Sequence, residues 1–119
     1  MARSTSSSEP ALVVQRAYDL TLWLLPKTEK FPRSLRFSLG DRIVAVTLAL
    51  LETLVEAAYT SQKAGLLDLA NRKANSLRYL LRLAKDLRLM SADSQAFAAE
   101  RLEEIGRMIG GWRKSVARD

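Results

Sequence analysis

Apolar residues recur along this chain at alternating steps of four and three, the spacing that gathers them on one face of an α-helix. The first series runs Val13, Ala17, Leu20, Leu24. Pro10 ahead of it suits a first helical turn, so a helix is predicted over about Leu12 to Lys30. Pro26 lacks a backbone donor and should bend that segment or end its regular part. Phe31 precedes a proline and is biased to extended backbone, so Phe31-Pro32-Arg33-Ser34 closes the element.

A second helix should begin near Ser38, where Ser38-Leu39-Gly40-Asp41 has the Ser-x-x-acid form of a capping box, weakened by the short aspartate. It carries two adjacent apolar stripes, Ile43, Thr47, Leu50, Leu54, Ala57 and Val44, Leu48, Leu51, Val55, Ala58. So wide an apolar arc predicts contact from two sides. Gly65 is placed to end this helix in a left-handed cap. A third helix, about Leu66 to Leu89, repeats along Leu66, Ala70, Lys73, Leu77, Leu80, Ala84, Leu87. Met90-Ser91 stops it, and Ser91 can cap a fourth helix, with Asp93 favourable near its positive end. The fourth has the cleanest stripe: Ala98, Leu102, Ile105, Ile109, Trp112, Val116. The Gly110-Gly111 pair weakens its last turns without interrupting it.

No segment alternates apolar and polar residues as a strand would, and glycine (5) and proline (3) are scarce. Four helices of ~20–25 residues span ~30–37 Å each. Short second-to-third and third-to-fourth connections force antiparallel neighbours. The expected architecture is an all-α, up-down-up-down four-helix bundle over residues 11–117, behind a flexible tail at 1–10. The 119 residues suffice for one domain and one core.

Composition narrows the chemistry. Cysteine and histidine are both absent, which removes thiolate and His-based catalysis, disulfides, iron–sulfur clusters and zinc sites of the usual kind. No metal and no cofactor is expected. Glu52/Glu56 and Glu103/Glu104 have no nucleophile or ligand set beside them, so no catalytic residue and no enzyme is assigned. The longest charge-free apolar run, Ile43 to Leu51, is far short of the ~20 residues of a membrane span. The first residues lack the apolar core of a secretory signal, which points to a cytoplasmic protein with no membrane association.

The net charge of +6 is unevenly placed. The third helix holds Arg72, Lys73, Arg78, Arg82, Lys85 and Arg88 against Asp68 and Asp86, and Arg78, Arg82 and Lys85 are spaced to form one row. Arg33, Arg36 and Arg42 flank the first connection, and Arg107, Arg113, Lys114 and Arg118 fall late in the fourth helix. Acids gather at Glu52 and Glu56 and at Glu100, Glu103 and Glu104. The row reads either as a solvated face partly paired with those glutamates or as a polyanion-binding ridge, since arginine forks to phosphate and each contact releases counterions. Among aromatics, only Tyr79 is interleaved with it. Trp23 and Trp112 read as core or interface anchors. Tyr79, Leu83, Phe97 and Met108 fall outside the main stripes and together suggest a subunit or partner contact.

Three stretches carry a family resemblance. Phe31-Pro32-Arg33-Ser34-Leu35-Arg36-Phe37-Ser38-Leu39-Gly40-Asp41-Arg42-Ile43, Leu77-Arg78-Tyr79-Leu80-Leu81-Arg82-Leu83 and Glu104-Ile105-Gly106-Arg107-Met108-Ile109-Gly110-Gly111-Trp112 occur in order on the predicted helices. They are similar to signatures of a bacterial and phage four-helix-bundle family. It includes the accessory variability determinant (Avd) of diversity-generating retroelements and the proteins encoded in rRNA intervening sequences. The retroelement branch implies a ring-like homopentamer with a positively charged surface. That ring associates with the element's reverse transcriptase and with template RNA or cDNA, and it supports error-prone copying. By position, Arg78 and Arg82 match the arginines of the third-helix motif and Arg107 that of the fourth. Arg33, Arg36 and Arg42 match basic positions of the first signature more loosely. The resemblance thus implies nucleic-acid or polymerase contacts at Arg78 and Arg82, supported by Lys85, Arg107, Arg36 and Arg42. The alternative it leaves open is a structural oligomer of the intervening-sequence type without a nucleic-acid role.

Overall fold

A computed structural model describes residues 4–118. The four-three stripes drive the architecture. Four long helices, α1 (Ser4–Thr28), α2 (Asp41–Ala58), α3 (Ala64–Asp86) and α4 (Ala92–Arg118), turn their apolar faces into one core. No strand occurs among the described residues. Helix α1 packs against α2 and α4, and α3 packs against the same two from the other side. The body measures 50 × 23 × 18 Å.

Helix α1 starts at Ser4, ahead of the expected start at Leu12, and runs through Pro10; residues 1–3 of the expected tail lie outside the described residues. Pro26 does not cut it short, because the helix ends only two residues later. The stripe Val13, Ala17, Leu20, Leu24 is buried as the spacing predicts. The first stripe of α2 is also buried, and its threonine hydroxyls are satisfied locally. Thr47 donates to the Ile43 carbonyl at 2.6 Å, as Thr53 does to that of Ala49. The second stripe is not covered within the chain: Val44, Leu48, Leu51 and Ala58 are half-buried and Val55 is 37% exposed. Helix α4 buries Ala98, Leu102, Ile105, Ile109 and Trp112, with Val116 half-buried in its last turns.

In α3 the register differs from expectation. The buried set is Leu67, Ala70, Ala74, Leu77, Leu81 and Ala84, whereas Leu66, Lys73 and Leu80 are half-buried and Leu87 is exposed. Adjacent leucines at 66–67 and 80–81 satisfy either of two helical faces, and alanine 74 admits the closer approach.

The helix ends also depart from the sequence signals. Ser38 forms no capping box, because α2 is not preceded by open chain. A single α-turn at Arg33–Leu35 leads into a π-helical turn at Arg36–Gly40, and the Asp41 amide already donates to the carbonyls of Arg36 and Ser38. Buried Phe31 and Leu39 anchor this corner to the core. Gly65 is not a cap either, since α2 ends at Ala58 and Gly65 lies in the first turn of α3. Lys63 does that work instead: its ammonium donates to the carbonyls of Ala57 at 2.8 Å and Thr60 at 2.6 Å. Ser91 caps α4 as expected, its hydroxyl accepting the Ser94 amide at 3.0 Å.

Helix α3 closes in a Schellman pattern. The Leu89 amide reaches the Ala84 carbonyl and the Arg88 amide that of Lys85, both at 2.9 Å. The pivot of this motif is usually glycine, yet here it is Arg88 at φ 64°. A side chain in that conformation costs about 1–2 kcal/mol. Arg88→Gly is therefore expected to stabilise the protein by up to about 1 kcal/mol, read as a raised midpoint in urea unfolding with unchanged slope.

Candidate functional site

The cations divide by what they touch. Helical spacing puts Arg78, Arg82 and Lys85 on the flank of α3 that faces α4. Arg78 does not stand free there. It is half-buried, and its Nη2 donates to the Leu102 carbonyl at 3.2 Å across the α3–α4 seam. It reaches that carbonyl over Gly106, where an added Cβ would lie 3.3 Å from the same nitrogen. Its Nε is buried without a partner among the described residues. The third-helix arginine and the fourth-helix glycine of the two quoted motifs thus form one packing unit. Lys85 sits 3.6 Å from Asp86, and Arg107 3.4 Å from Glu103 one turn earlier. Arg82 is exposed and has no carboxylate within ion-pair distance among the described residues.

The corner before α2 supplies a second cationic group. Arg36 donates to the Glu29 carbonyl at 3.2 Å and lies 5.0 Å from the centre of the exposed Phe37 ring. Arg33 and Arg42 are exposed. None of the three is paired with a carboxylate among the described residues. On α4, by contrast, Arg113 meets Asp68 of α3 at 2.6 Å, and Glu104 takes Arg16 of α1 at 3.3 Å. Cations without a carboxylate partner among the described residues thus include Arg82 of α3 and Arg33, Arg36 and Arg42 of the corner, with Lys27, Lys30, Arg101 and Lys114 elsewhere, and they form no uninterrupted row along Arg78, Arg82 and Lys85.

Two of the four off-stripe apolar residues are used within the chain. Phe97 packs on Trp23 with ring centroids 4.7 Å apart, with the Lys27 ammonium 4.5 Å from the centre of Trp23 and the Arg101 guanidinium 4.4 Å from that of Phe97. Phe97, read from the sequence as part of a subunit or partner contact, thus packs within the chain in the α1–α4 seam. Met108 is half-buried against the core. Tyr79 and Leu83 do stand out, at 71% and 45% exposure.

Further apolar surface lies elsewhere. Tyr18 and Leu25 lie on the flank of α1 opposite Arg16 and Trp23, which face α4, and Leu22 points away from the core. Tyr18 is 49% and Leu22 61% exposed, and α2 carries its own uncovered stripe, Val44, Leu48, Leu51 and Val55. The four-three spacing of Tyr18, Leu22 and Leu25 was a readable signal for a second apolar row on α1. Among the described residues no group of three or more carboxylates converges as a metal site would require, and no helix is long and apolar enough to cross a membrane.

The Arg78–Gly106 unit makes a direct test. Gly106→Ala should gain roughly 1 kcal/mol of helix propensity, but in the parent chain the guanidinium must first give way. In an Arg78→Met background the gain is expected in nearly full measure, so a double-mutant cycle by chemical denaturation should show coupling of about 0.5 kcal/mol or more.

In comparisons with known proteins, a family model described as bAvd-like matches residues 11–116. No curated protein matches the chain.

Proposed function

Since the chain belongs to the bAvd-like family, we propose that it is a non-catalytic accessory protein of a diversity-generating retroelement. It binds the element's reverse transcriptase and its template RNA or cDNA in support of mutagenic copying. The observation that carries this reading is a set of unpaired guanidinium groups. Arg33, Arg36, Arg42 and Arg82 have no carboxylate partner among the described residues, while Asp68, Glu103 and Glu104 are each held by another arginine. Bare guanidinium groups attract phosphate and release counterions. Arg82, Arg36 and Arg42 are the contacts; Lys85 and Arg107 support them, their exposed ion pairs holding them by little. Arg78 is a positioning residue that fixes the α3–α4 seam.

The bundle runs up-down-up-down, the sense that the five-residue connections 59–63 and 87–91 favour. It assembles as a homo-oligomer in the cytoplasm, a pentameric ring by family resemblance. The uncovered apolar residues Tyr18 and Leu22 of α1 and Leu48, Leu51 and Val55 of α2 support self-association, since a chain that stayed alone would leave them in water.

Two experiments test these statements. Arg42→Glu with Arg82→Glu is expected to abolish RNA shift and reverse-transcriptase pull-down at ~150 mM salt, with helicity and particle size unchanged; binding at the parent's level rejects the role. Leu22→Asp with Leu51→Asp is expected to reduce the particle to single chains in sedimentation, with the circular dichroism of the parent. A particle that keeps its size shows that these residues are not the junction.

A further inference from the structure

Between the start of α2 and the middle of α3 lies a cleft of about 420 Å³ lined by Arg42, Val46, Lys73, Asn75, Ser76, Tyr79 and Leu80. Its volume is that of a site for one small ligand. Val46 is buried and Leu80 half-buried, which gives the cleft an apolar floor. The two walls each carry one cation, Arg42 from α2 and Lys73 from α3, and neither is ion-paired among the described residues. No carboxylate lines the cleft. The stretch of α3 from Leu69 to Lys85 contains five cations and no acid, so α3 brings no negative charge to it. Tyr79, on the rim, is the most exposed residue of the lining aromatics and aliphatics, at 71%. The side chains of Asn75, Ser76 and Tyr79 make no hydrogen bond among the described residues.

These groups match one chemical class. Two unpaired cations on opposite walls suit a phosphate, a π-face on the rim suits a nucleobase, and an amide with a hydroxyl suits the edge of that base. A plain anion site would need neither the tyrosine nor the apolar floor. A base inside a duplex is stacked on its neighbours and cannot lie on a side-chain ring. We propose that this cleft holds one nucleotide of an unpaired strand, with its phosphate between Arg42 and Lys73 and its base on Tyr79. The inference rests on the nucleic-acid reading above and adds to it a place, a strand state and a stacking residue. It also gives Tyr79 a role other than the subunit contact that its position outside the core stripe suggests.

The test measures binding of the full chain to a fluorescent 12-nucleotide uridine-rich single strand and to a duplex of equal length, by anisotropy across a salt series. Tyr79→Ala is expected to weaken single-strand binding about tenfold or more, with the salt dependence unchanged, duplex binding unchanged and particle size unchanged. Tyr79→Phe should bind within about twofold of the parent, because the ring is retained. Lys73→Ala should lower the slope of log affinity against log salt by about 0.7, as expected for one lost phosphate contact on a single strand. The proposal is overturned if Tyr79→Ala binds the single strand as the parent does, even where Lys73→Ala weakens it, since the cleft is then a simple anion rim. It is equally overturned if Tyr79→Ala loses duplex binding to the same extent or changes the particle size, the latter making Tyr79 a subunit contact. A parent chain that binds neither strand nor duplex removes the nucleic-acid reading together with this one; a parent that binds while Tyr79→Ala is silent removes only this one.

Discussion

A helix can turn only part of its circumference into a shared core, and in this chain the part is set by apolar residues at steps of four and three. Once Leu24, Leu50, Leu77 and Ile105 are buried, every other position on the four helices has its direction assigned. Two flanks per helix remain, and they decide what the molecule presents. On α1 and α4 the facing flanks are closed by the Trp23–Phe97 pair and the Arg16–Glu104 bridge. On α3 and α4 they are closed by Arg78 lying across Gly106. Apolar residues of α1 and α2 are left open, and the α2–α3 side is left cationic and open. One constraint on packing thus sorts the surface into closed seams and open surfaces.

The distinction among cations is energetic as well as geometric. The Arg107–Glu103 pair is 70% and 63% exposed in its side chains, and pairs of that kind contribute only about 0–1 kcal/mol. A phosphate can displace such a carboxylate with little loss. Arg78 is different, because withdrawing it leaves the Leu102 carbonyl with one partner fewer and opens a gap over Gly106. The two arginines of the third-helix motif, alike in sequence, therefore serve packing at Arg78 and solvent-facing charge at Arg82.

Most of the core was legible in the sequence, because a stripe such as Ala98, Leu102, Ile105, Ile109, Trp112 admits one helical phase. In α3 the phase was ambiguous, since doubled leucines at 66–67 and 80–81 serve two faces equally, and the packed set proved to be the one with Ala74 and without Lys73. Helix ends were the least legible. The Ser38 box competes with a π-turn that satisfies the same backbone groups, Lys63 caps from six residues downstream of Ala57, and Arg88 occupies a conformation that its side chain does not announce. The candidate site was legible as residue types and only partly as geometry. Charge spacing placed Arg78, Arg82 and Lys85 in one row, but what each side chain meets depends on the neighbouring helix. Nothing in local spacing showed that Gly106 would draw Arg78 onto the backbone, or that Trp23 would claim Phe97.

The π-turn at Arg36–Gly40 has one more consequence. Ordinarily the beginning of a helix offers a fixed cradle of amides that grips an anion in one orientation. Here the Asp41 amide is already occupied by the carbonyls behind it, so the positive corner presents the side chains of Arg33, Arg36 and Arg42 instead, with Arg36 tethered to the Glu29 carbonyl. Side chains of that length adjust to anions of different shape, where the start of a helix accepts a single orientation.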